Sequence, residues 1–170
     1  MSSDEERDKA ILDVVIRAYE FQSSMRQRLD AKLNSFIAII STIAALNSGI
    51  AFFVLDNISP QNPFHLSLIF IFISGTAFFV IGLVIGLTGY KPTYITIYPE
   101  DPERLIEDYQ EKSKEEVIQT VAASLAEVTN ANYLVNAKKS STINWVFRFL
   151  IGGILIMFEF AVFMVLAIRV

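Results

Sequence analysis

Three long apolar runs alternate with two polar stretches along this chain, and the polar stretches carry a helical period of their own. From Asp4 to Leu33 there is no Gly or Pro. Ile11, Val15, Ala18, Gln22, Met25 and Leu29 recur at steps of four and three, and Leu12, Tyr19 and Leu33 widen the stripe. That spacing lines one face of a helix for packing against another, as in a coiled-coil seam. Ser3 and Glu6 fit a capping box. The expected element over 1–33 is an amphipathic cytoplasmic helix that joins a bundle; a helix lying on lipid would have a more basic polar face. Nothing breaks it at Asn34, so it should run into a first span at 34–55, the whole rod being about 75 Å long.

Asp56 to Pro63 is rich in helix breakers and reads as a short external turn over 56–63. A second span at 64–88 follows, in which Gly75, Gly82, Gly86 and Gly89 lie near one face and Gly82/Gly86 form a small-xxx-small pair. The second polar stretch, 89–143, opens with Tyr94–Tyr98, alternating, β-branched and bounded by Pro92 and Pro99, which predicts an extended segment near 93–98. Asp101-Pro102 is an N-cap and N1 pair for a short helix to about Glu111. Ser113 and Glu116 give a second capping box, opening a longer helix with its stripe at Val117, Val121, Leu125, Val128, Asn132 and Val135. With no Gly or Pro before Gly152, this helix should continue into a third span at 144–168; Trp145 to Ile168 alone gives about 36 Å of helix against a hydrocarbon core of roughly 30 Å.

The expected fold is therefore an all-α membrane protein with three transmembrane helices. Two of them are continuous with long cytoplasmic helices that form a helical bundle. Lys and Arg residues crowd both polar stretches and are absent from the Asp56–Pro63 turn, so the positive-inside rule places both stretches in the cytoplasm and the C-terminus outside, in a cell (inner) membrane. Composition agrees: 53% of the 170 residues are hydrophobic. The net charge of −4, with no strongly basic face, argues against a nucleic-acid partner. The chain has no cysteine, which rules out disulfides and thiolate chemistry. Its acidic start, with the first apolar span only near Asn34, does not read as a cleavable signal peptide.

One acid interrupts the third span. Glu159 falls near mid-bilayer, where an ionisable group is costly and functional by default. It lies 13 residues past Val146, and Asn47 lies 13 residues past Asn34, so the two should share a depth, and a contact within or between chains would satisfy both. The candidate intramembrane polar site is Glu159 and Asn47 with Ser41 and Ser48, which together with Ala45 make a narrow stripe of small residues. Glu159 is read either as structural glue or as the lining of a conduction path. Arg148, Gly152 and Glu159 are spaced to share one helix face, and Gly152 joins Gly75, Gly82 and Gly86 as a packing glycine. Arg26, Arg28, Lys32, Lys138, Lys139 and Arg148 gather at the inner face, where they would meet anionic headgroups or ring a positive vestibule. His65, the only histidine, lacks metal-site partners. No Ser-His-Asp set, phosphate loop, HExxH motif or paired carboxylates is present, so neither an enzyme nor a cofactor or metal is expected.

Leu29-Asp30-Ala31-Lys32 entering the first span resembles a feature of small prokaryotic membrane effectors. So do the segment Asp101 to Tyr109 and the Glu115-Glu116-Val117 helix ending in Asn136-Ala137-Lys138-Lys139. The group includes the transmembrane effectors of Pycsar antiphage systems and related SLATT-like modules associated with nucleotide signalling. The resemblance implies membrane helices that oligomerise and permeabilise the membrane, and it carries over no catalytic residue. Three spans are too few to enclose a path, so the expectation is a homo-oligomer of four or more chains. It would form a channel or membrane-permeabilising effector, with the cytoplasmic bundle driving assembly or gating. The alternative is a non-conducting scaffold that recruits a cytoplasmic protein partner.

Overall fold

A computed structural model describes residues 3–57, 62–89, 109 and 112–168. The fold is all-α: α1 spans Ser3–Asn57, α2 Pro63–Gly89 and α3 Lys114–Ile168, with no strand among the described residues. Each helix contains a stretch long and apolar enough to cross a membrane, which makes this a membrane protein. Neither long helix is interrupted where its polar part meets its apolar part. The extended segment expected near 93–98, the short helix after Asp101-Pro102, the middle of the 56–63 turn and the Ser3 side chain lie outside the described residues.

Two helix starts are explicit. Asn62 caps α2: its side-chain oxygen accepts from the Phe64 amide at 3.0 Å and its carbonyl from the Leu66 amide at 2.9 Å, with Pro63 at the first helical position, where no donor is needed. At α3 the capping box closes in both directions. The Glu116 amide donates to Ser113 Oγ at 3.3 Å, and the Ser113 amide donates to Glu116 Oε2 at 3.0 Å.

The chain divides into two compact units. One takes residues 1–29 and 92–139, the other 30–91 and 140–170. In the first, α1 and α3 run parallel and pair through heptad stripes. On α1 the stripe is Asp8, Leu12, Val15, Tyr19, Gln22, Arg26 and Leu29; on α3 it is Ala122, Leu125, Thr129, Asn132, Asn136 and Lys139, all buried or half-buried. This corrects the expected seam in part: Leu12, Val15, Tyr19, Gln22 and Leu29 on α1 and Leu125, Val128 and Asn132 on α3 are buried or half-buried as expected. Ile11, Ala18 and Met25 are exposed, and Val117, Val121 and Val135 only flank the centre, which Ala122 and Asn136 occupy. The expected stripe is too apolar at its edges, because the real one admits Asp8, Arg26, Asn136 and Lys139.

In the second unit α2 packs antiparallel to both long helices along its glycine edge. A Cβ on Gly75 would meet Met157 Sδ at 2.8 Å; on Gly82, Phe149 Cβ at 3.2 Å and Ile40 Cδ1 at 3.3 Å; on Gly86, Ile37 Cγ1 at 3.1 Å; on Gly89, Thr142 Cγ2 at 2.6 Å. Moving from 75 to 89 along α2 thus steps back from 157 to 142 along α3. Lipid offers apolar side chains no hydrophobic gain from association, so such close approach is what generates net attraction here. Val54, Leu68, Phe72 and Phe160 form one buried cluster, with the Phe72 and Phe160 rings 5.3 Å apart.

Candidate functional site

The heptad register decides which polar groups look inward. Asn47 lies on the buried stripe of α1 in the second unit, which runs Leu33, Phe36, Ile40, Ile43, Asn47, and it is 4% exposed. Its Nδ2 has no hydrogen-bond partner. The Phe36 and Phe147 rings, 5.7 Å apart, set the register of α1 against α3, and the same offset puts Glu159 level with Ser48. Glu159 therefore shares Asn47's depth but not its direction. It sits one position before the buried Phe160, about 100° around the helix, and is exposed. The expected Asn47–Glu159 contact does not form within the chain.

The hydroxyls of the first span are exposed, and several are tied to their own helix. Ser48 donates to the Ala44 carbonyl at 3.1 Å and Thr42 to the Ala38 carbonyl at 3.0 Å, which leaves the Ser48 oxygen able only to accept. Ser41 is exposed on the same helix. Gly75, Gly82 and Gly86 are buried against α1 and α3. Gly152 turns toward α2, where a Cβ would come within 2.8 Å of the Phe78 ring. Of the three residues expected on one face, Arg148 and Glu159 are exposed and Gly152 is half-buried. The Arg148 guanidinium lies 5.1 Å from the centre of the Trp145 ring, a cation–π distance.

The juxtamembrane bases divide in two. Arg28, Lys32, Lys138 and Arg148 are exposed, whereas Lys139 is 8% exposed and Arg26 is half-buried. Lys139 is withdrawn from the surface expected to meet headgroups, because it falls on the inner stripe of α3, and Arg26 is partly withdrawn because it falls on that of α1.

Polar pairs hold the first unit, and of their members only Gln22 stands on the expected stripe. Asn136 Nδ2 donates to both the backbone carbonyl and the side-chain oxygen of Gln22 at 2.9 Å each. Gln119 Nε2 donates to Asp8 Oδ2 at 2.9 Å, while the Arg7 guanidinium approaches Asp8 Oδ1 at 3.4 Å. The available signal was position: Asp8, Gln22 and Asn136 all fall on heptad sites. The Glu116 carboxyl is held below its ordinary range by the Ser113 backbone amide, then by the Ser113 hydroxyl, with a further contribution from the Lys112 charge. No group of three or more His, Cys, Asp or Glu residues able to hold a metal occurs among the described residues. No protein-family model, characterised protein or solved structure matches this chain.

Proposed function

We propose that the chain is the protomer of a homo-oligomeric membrane channel or membrane-permeabilising effector. One observation carries the reading: Glu159, in the middle of an apolar span, is exposed on the isolated chain. A carboxyl at that depth is costly against hydrocarbon, so it belongs against either another chain or water. A ring of chains supplies both, with Glu159 at or near a hydrated axis and the exposed hydroxyl-bearing residues Ser41 and Ser48 on the first-span helix. In the orientation set by the positive-inside rule, the exposed Lys32 and Arg148 stand at the cytoplasmic end of the spans.

Purified protein in planar bilayers is expected to pass unitary currents, and Glu159→Gln to change their size or ion preference. If wild-type protein is silent and Glu159→Gln only weakens the oligomer, the carboxyl is a structural contact and the channel reading fails.

A further inference from the structure

α1 carries a second heptad stripe beside the one that meets α3. Ile11, Val14, Ala18, Phe21 and Met25 follow one another at steps of three and four, and all are exposed: Ile11 by 48%, Val14 by 66%, Phe21 by 58% and Met25 by 38%. A row of large apolar side chains at a 3.5-residue repeat on a polar unit is the pattern of a helix that has yet to meet a partner. Beside it, between α1 and α3, run two apolar hollows of about 270 and 320 Å³. On the α3 side Ala122, Ala123 and Ala126 leave the room, between Ile118 and Tyr133. One hollow also exposes a need: Thr129 lines it, and its hydroxyl oxygen is buried without a hydrogen-bond partner.

We infer that this stripe is the face through which a second copy of the chain docks, α1 against α1 in parallel; the inference rests on the homo-oligomeric reading above and names its cytoplasmic contact. Three observations favour a second copy over other occupants. α1 continues into a membrane span, so all copies in one membrane present the stripe in the same direction and at the same height, and each residue meets its own counterpart. Parallel self-pairing also juxtaposes Ala10 with Val15, Arg17 with Gln22 and Ser24 with Leu29 at the flanking positions, so between Ile11 and Met25 no like charges meet. Arg17, the one cation among them, is already neutralised by Asp13 at 2.8 Å. Lipid is the poorer occupant, because the flanking positions Ala10, Val15, Arg17, Gln22, Ser24 and Leu29 carry a single base, already paired with Asp13, where a surface-lying helix carries several.

The chain has no cysteine, so single cysteines can be placed without background. In native membranes, oxidation is expected to give covalent dimers with cysteine at Ile11, Val14, Ala18, Phe21 or Met25, at least tenfold more than at Asp13, Ile16, Glu20 or Ser23. Val14→Glu with Phe21→Glu is expected to abolish the Met25→Cys dimer while circular dichroism still reports the full helix content. Dimer yield without heptad periodicity overturns the proposal. So does the absence of dimers when the same cysteines are shielded from a water-soluble maleimide, which puts lipid or another protein on the stripe. Bilayer currents recorded on the same preparations separate the two readings. Periodic dimers from a silent protein leave the docking face standing and remove the channel, whereas currents without periodic dimers do the reverse.

Discussion

Asn136 Nδ2 bonds to two oxygens of one residue, the carbonyl and the side-chain amide of Gln22, at 2.9 Å each, across the parallel helices α1 and α3. A polar pair at a heptad site adds little net stability, because each neutral hydrogen bond contributes only about 1 kcal/mol. It discriminates strongly, since any slipped register leaves the amide buried and unpaired. Asn136→Leu is therefore expected to keep or raise the melting temperature while relaxing the register. Disulfide trapping between α1 and α3 cysteines one heptad out of phase, undetectable in the parent, should appear in the variant; its absence would assign register to other residues.

Gly153 and Gly49 make opposite demands on a methyl group. A Cβ on Gly153 would fall 2.7 Å from Cε1 of Phe79, a ring 1% exposed with nowhere to move, whereas nothing lies within 4 Å of one on Gly49. Gly153→Ala should destabilise the protein by about 1–3 kcal/mol through overpacking. Gly49→Ala should be neutral or stabilising by up to about 1 kcal/mol through helix propensity. Steric trapping or denaturant titration in detergent distinguishes them.

Asn47 Nδ2 is buried without a partner, so removing it should cost the single chain little. Asn47→Ala is expected to change monomer stability by less than about 1 kcal/mol, the lost contacts offsetting the relief of an unsatisfied donor. A loss above about 2 kcal/mol, measured by the same unfolding assay, would mean that the amide is satisfied within the folded protomer.

The Glu116 carboxyl has a lowered pKa because the Ser113 amide and hydroxyl favour its ionised form. The sign follows from linkage: the cap's contribution is complete above the ordinary glutamate pKa and is lost as pH falls through the lowered folded value. Amide exchange at the start of α3 should therefore accelerate on acidification through that window. Glu116→Gln should flatten the pH dependence, because the amide oxygen accepts the same hydrogen bond without titrating.

Much of this molecule was legible from residue order alone. Runs of apolar residues longer than a bilayer is thick determined three membrane-competent helices, and the lack of Gly or Pro between Asp4 and the first run determined that α1 would not break. The Ser113–Glu116 cap was legible because its bonds span three residues and need nothing distant. Rotation about the helix axes was only partly legible. An apolar count placed Ile11, Ala18 and Met25 in the seam beside Leu12, Val15, Tyr19, Gln22 and Leu29; packing kept the latter and took Asp8, Arg26, Asn136 and Lys139 in place of the former, tolerated there by hydrogen bonds or long side chains that a hydrophobic pattern does not register. The same hundred degrees separates Glu159 from Phe160. Sequence determined that a carboxyl stands at mid-span; only the pairing of α3 with its neighbours decided that it faces away from Asn47, since a depth is a count along one chain and a direction depends on what the other helices occupy.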